Sequence, residues 1–179
     1  MSEGAPPPLE SLVQFPGIAG EIERMAKIDE DMRHRTLENG LWDGAVDAKN
    51  TARMKEIVAK IGWPTISKVG KQASSDAWLL VQHADYQVEF QECCLALMKT
   101  EPKGEIYLRN IAMLEDRVRV NRNQPQMYGT QFRQDTGEHK PLPIEDAANV
   151  NERRREMGLG PLEEGVAEMY EAYGAPDQS

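Results

Sequence analysis

Thiols are scarce in this chain: of 179 residues, only Cys93 and Cys94 are cysteines. Neighbouring helix positions point about 100° apart, a poor geometry for a disulfide. Both read as small buried hydrophobes in a reducing cytoplasm. Histidine is almost as sparse, with His34, His83 and His139 alone. No spacing among these residues matches a zinc site, and His83 and Asp85 could share a metal only with ligands from distant elements. No metal is expected, and no organic cofactor either. Aromatics make up 6% of the chain, too few for an obvious stacking platform. Positive charge is also short: 21 Lys and Arg against 30 Asp and Glu give a net charge of −9. Phosphate binding needs a concentrated basic surface, so nucleic acid is not the expected partner. The one basic run, Arg153-Arg154-Arg155, is bracketed by Glu152 and Glu156 and reads as a solvated helix face. No apolar run approaches the ~20 residues of a membrane span. MSEGAPPPLE has neither the basic nor the hydrophobic region of a secretory signal. GxSxG, GxGxxG, HExxH and a phosphate-binding glycine loop are all missing. The expectation is a cytoplasmic protein without a membrane partner.

What is present is helical periodicity. The length suits one domain that buries about two thirds of its unfolded surface. Residues 1–16, with Pro6, Pro7, Pro8 and Pro16, read as an extended or disordered lead-in, and 174–179 as a loose tail. Between them, 17–173 reads as a single helical domain. A first helix runs from about Gly17 to Glu38, with Ile18, Ile22, Met25, Asp29 and Met32 on one face. A second starts near Asp47 or Asn50 and stops at Gly62. The third, roughly Ser67 to Ala84 and capped by Thr65 or Ser67, is apolar on nearly every side and reads as a buried central helix. The fourth, about Tyr86 to Thr100, carries Phe90, Cys93, Cys94, Leu97 and Met98 as its stripe. A fifth, about Glu105 to Asn121, buries Tyr107, Ile111, Leu114 and Val118. Residues 127–144 read as a small β-hairpin turning at Asp135-Thr136-Gly137, with Pro141 and Pro143 holding the second strand to an edge or to merely extended chain. Two short helices follow, one capped by Asp146 and the other starting at Pro161. The fold class is mainly α: about five longer helices around the central one, a hairpin and two short C-terminal helices.

Several polar residues stand where apolar ones belong. Asp29 interrupts the stripe of the first helix, and Arg33 lies four residues on, within ion-pair reach. His83 ends the most apolar helix, and its ordinary pKa near neutrality suits acid or base work. Asp85 reads as the cap of the next helix. Arg117 and Asn121 form a polar ridge, and the segment around Tyr128 and Gln131 is dense in groups able to orient a polar ligand. Trp63 and Trp78 read as core or pocket wall, with Trp63 taken as a substrate-facing residue.

Asn50-Thr51-Ala52-Arg53, Gly62-Trp63-Pro64-Thr65, Ala77 to Asp85 (AWLLVQHAD), Phe90-Gln91, Asp116-Arg117-Val118, Asn121, and Tyr128 to Phe132 (YGTQF) occur in order along the chain. With ERRREMGLGPL at Glu152 to Leu162, they resemble a bacterial family of unknown function marked by GWPT, WLLVQHAD and YGTQF motifs. The likeness covers roughly residues 20 to 170, implies a bacterial origin and carries no established activity.

The leading expectation is an enzyme without organic cofactor that performs hydrolysis or an elimination-type rearrangement on a small molecule. His83, Asp29 and Tyr128 would be its catalytic residues, and Arg33, Trp63, Arg117, Asn121 and Gln131 would bind substrate. The alternative is a non-catalytic binding or immunity-type module. The sequence does not separate monomer from homodimer.

Overall fold

The computed structural model describes residues 13–133 and 139–174. The lead-in up to residue 12, the hairpin turn at Asp135-Thr136-Gly137 and the tail beyond Gly174 lie outside them. Among the described residues the fold is helical, with eight α-helices, one short 3-10 turn and no strand. The chain groups into two compact units. One is formed by residues up to Leu80 with Glu101–Ile106, the other by Val81–Thr100 with residues from Tyr107 on.

The first unit is built on α1 (Pro16–Asn39) and α2 (Gly44–Ile61). Pro16 suits the first helical position, where a missing N–H costs no hydrogen bond. At the other end Gly40 takes a left-handed conformation and donates its N–H to the Thr36 carbonyl. Of the expected inner stripe Ile22, Met25, Asp29 and Met32 are buried, joined by Ala19 and Ala26, while Ile18 is half-buried. α2 begins earlier than its sequence suggests. Asp43, not Asp47 or Asn50, is the cap, accepting the Ala45 N–H at 3.0 Å. Asp47 and Asn50 instead lie on the buried face with Thr51, Met54 and Ile57. Their side chains are acceptable cap chemistry, which is why the pattern alone misplaces the start.

The single helix expected over 67–84 is two helices, α3 (Ile66–Val69) and α4 (Lys71–Gln82). Gly70 separates them with φ +88°, a conformation that costs an ordinary L-residue strain. Neither Thr65 nor Ser67 caps α3 with its side chain; the Ser67 N–H goes to the Glu105 carboxylate at 2.9 Å. That bond, ahead of all other causes, holds the Glu105 carboxyl below its ordinary pKa. Ala73, Ala77 and Leu80 are buried, while Trp78 and Leu79 are half-buried.

In the second unit α5 (Val88–Thr100) packs on α6 (Leu108–Asn121). The α5 stripe is rotated from its expected setting: Gln91, Cys94, Leu95 and Met98 are buried, and Cys93 is exposed. Gln91 turns inward because its amide caps the end of α4, donating to the carbonyls of Val81 at 3.1 Å and Gln82 at 3.2 Å. Tyr107, expected in the core, is exposed. The β-hairpin is not supported. Only two isolated bridges form among the described residues, Phe132 with Pro141 and Gln126 with Ile144, the latter parallel. Pro141 and Pro143 have no N–H to give, so extended pairing does not propagate. After the 3-10 turn Ala147–Asn149 come α7 (Val150–Glu156) and α8 (Leu162–Tyr173). The basic run on α7 is not a solvated face throughout. Arg154 is buried, and its guanidinium bonds the carbonyls of Gly160 and Tyr128 at 2.6 and 2.8 Å.

Candidate functional site

Asp116 organises the polar part of the second unit. It is fully buried on α6 and accepts the backbone N–H groups of Met127, Tyr128 and Thr130, with the Thr130 hydroxyl, at 2.7 to 3.2 Å. Burial pushes its carboxyl above the ordinary range, against the pull of those donors. The carboxylate therefore shapes the 126–131 segment by collecting its N–H groups. Gln126 completes the loop: its amide donates to the carbonyls of Gln131 and Leu142 and accepts the Gln131 N–H. Gly129 stands at φ +69°, and a Cβ there would meet Leu162 Cδ1 at 2.7 Å and Ile144 Cδ1 at 2.8 Å. An alanine there would strain the left-handed backbone and push those side-chain ends aside.

One residue along α6, Arg117 forms a two-pronged ion pair with Asp85 at 2.8 and 2.5 Å and donates to the Gln131 side chain at 2.9 Å. Asn121 donates to Asp85 at 3.0 Å and to Gln91 at 3.1 Å. Burial works against an ionised Asp85, but Arg117, followed by Asn121 and Gln91, outweighs it and holds the carboxyl below its usual value. Asp85 is thus an ion-pair partner and not a helix cap, since α5 begins only at Val88. Arg117 and Asn121 do converge on Asp85, and Gln131 joins them by accepting from Arg117. Half-buried Tyr128 binds Asp116 through its backbone, and burial raises its phenol pKa. His83 is half-buried and is not free of interactions.

The remaining expected site residues belong to the first unit. Arg33 bridges two carboxylates, Asp29 at 3.0 Å and Asp47 at 2.9 Å, and its guanidinium lies 4.8 Å from the ring centre of Trp42. Asp29 is 1% exposed, so this is a buried pairing of α1 with α2. Trp63 is completely buried and offers no face to a substrate.

The first unit also holds a cleft of about 740 Å³ that the sequence reading missed. Glu21, Arg24, Met25 and Ile28 line it from α1, at helical spacing along one face. Asp43, Ala45, Val46, Lys49, Asn50, Ala52, Arg53 and Glu56 line it from α2 and its cap. Small side chains at Ala45 and Ala52 leave the space open. Across it Arg53 holds Glu21 through two bonds of 2.7 and 2.9 Å, and it also pairs with Glu56. Those pairings raise the Arg53 pKa and lower that of Glu21. Asn50 is 6% exposed, and its amide nitrogen, covered from solvent, has no hydrogen-bond partner among the described residues. The Asn50-Thr51-Ala52-Arg53 string was the visible signal, but nothing in periodicity says that Asn50 lacks a partner.

Among the described residues no helix is long and apolar enough to cross a membrane. No group of three or more His, Cys, Asp or Glu there is placed to hold a metal ion.

Together these features define a mainly helical protein with a closed polar network and an open cleft between α1 and α2. The chain belongs to DUF6624, a family of unknown function, which it matches over residues 16–176. No curated protein and no solved structure matches it.

Proposed function

We propose that the protein is a non-catalytic binding module whose small-molecule ligand sits in the cleft between α1 and α2. The observation that carries this reading is Asn50. Buried polar groups are almost always paired, because leaving one unpaired costs about 1–3 kcal/mol. Here Asn50, whose amide nitrogen is covered from solvent and has no acceptor among the described residues, is one of the residues lining a cleft whose volume falls within the roughly 300–1,000 Å³ of small-molecule sites. A bound acceptor would complete it. The thiols of Cys93 and Cys94 are free, which suits a reducing bacterial cytoplasm.

The test is a thermal-shift screen of a small-molecule set against wild type and Asn50→Leu. Ligands that raise the wild-type Tm should act less on the variant. Equal effects on both would contradict the reading.

A second reading remains acid/base chemistry at His83, hydrolysis or an elimination-type rearrangement. It is favoured by the partly exposed cluster of Asp85 and Arg117, which begins two residues beyond His83. It requires turnover of some substrate that disappears in a folded His83→Ala variant.

A further inference from the structure

We infer that the α1–α2 cleft takes an amphiphilic organic anion: a single carboxylate-like head on an apolar body. The inference rests on the binding-module reading and names the chemical class of its ligand. The walls supply the apolar part. Met25, Ile28, Val46 and Ala52 line the cleft, and Ile28 is 51% exposed, apolar surface that a ligand would cover.

The charged residues supply the sign. The carboxylates of Glu21 and Glu56 are both held by Arg53, and that of Asp43 is held by the Ala45 N–H. Arg24 and Lys49 also line the cleft, and neither makes a hydrogen bond or ion pair among the described residues. Asn50 adds a buried amide donor. The lining charges with neither a hydrogen bond nor an ion pair among the described residues are therefore both cations, Arg24 acting on Glu21 only through space, and the unsatisfied buried atom is a donor. A carboxylate would accept charge-assisted bonds from the two cations, and a bond from the Asn50 amide once that side chain turns toward the cleft. A cationic ligand would have to compete with Arg53 for its carboxylates and would leave the Asn50 donor unpaired. A neutral alcohol offers one weak acceptor and gains nothing from Arg24 or Lys49.

The experiment is calorimetric titration of the full chain with three probes that share one apolar body: 4-phenylbutyrate, 4-phenylbutan-1-ol and 4-phenylbutylamine. The expected result is that the acid binds roughly tenfold or more tightly than the alcohol, and that added salt weakens the acid alone. The double variant Arg24→Gln/Lys49→Gln, whose sites are on the surface, should lose about tenfold in affinity for the acid and little for the alcohol. Asn50→Leu should weaken acid binding without lowering Tm.

Equal binding of acid and alcohol, or tightest binding of the amine, would overturn the anion assignment and leave the binding-module reading standing. Acid binding that none of these substitutions changes would place the ligand elsewhere and overturn both. Binding of none of the three probes would also overturn both.

Discussion

Asp116 and Asn50 are both buried polar residues on helices, yet Asp116 accepts from four donors while the Asn50 amide nitrogen has no acceptor. Around Asp116 the chemistry is used internally: loop N–H groups, Arg117, Asn121 and the three glutamines Gln91, Gln126 and Gln131 all have partners. Around Asn50 a cleft remains, lined by two cations that make no hydrogen bond or ion pair among the described residues. A dense polar cluster is thus a weak guide to a ligand site when every member has an internal partner. An isolated unsatisfied group beside open volume is the better guide.

Substitutions can break this contrast. Asp116→Ala should have the largest effect, on the order of 4 kcal/mol of lost stability, because it strands several buried donors at once. Urea unfolding midpoints would show it, and a loss below about 1 kcal/mol would mean that the network is not structural. Gly129→Ala should cost about 2 kcal/mol, from left-handed strain plus contact with Leu162 and Ile144. Chemical denaturation reads this directly, and a neutral result would show that the loop yields easily.

Asn50→Leu should go the other way, gaining about 1 kcal/mol by removing an unpaired donor at similar side-chain volume. A thermal melt without ligand tests the sign. Destabilisation would mean that Asn50 is satisfied internally, as Asp116 is.

The smallest effect concerns acid stability. The Asp85 carboxyl titrates below its ordinary value in the folded protein, so its stabilisation is present above about pH 4, the unfolded value. It is lost as pH falls through the lower folded value. Asp85→Asn should flatten that part of the stability–pH profile. Its partial exposure keeps the difference modest through solvent screening. An unchanged acid limb would separate Asp85 from Arg117 energetically.

The helices were legible because they rest on periodicity. The α1 stripe, including the out-of-place Asp29 with Arg33, and the stops at Gly40 and Gly62 follow from residue chemistry alone. The convergence of Arg117, Asn121 and Gln131 was also visible in part, since two of them sit four apart on one helix face. Errors arose where a side chain serves a distant backbone. Gln91 caps α4, Glu105 caps α3 and Arg154 binds the loop carbonyl of Tyr128. Such partners are remote in sequence, so local pattern placed Cys93 in the core and Arg154 in solvent. The hairpin failed for a related reason: alternation between 127 and 132 suggested a strand, but Asp116 takes the N–H groups that a ladder would need.

The most direct test of the account is a nitrogen-15 NMR titration with 4-phenylbutyrate, following the Asn50 side-chain amide and the Arg117 Nε–H together. The account predicts that the Asn50 resonances move on binding while Arg117 stays still. Movement at Arg117 with Asn50 unchanged would contradict it and place the ligand in the second unit.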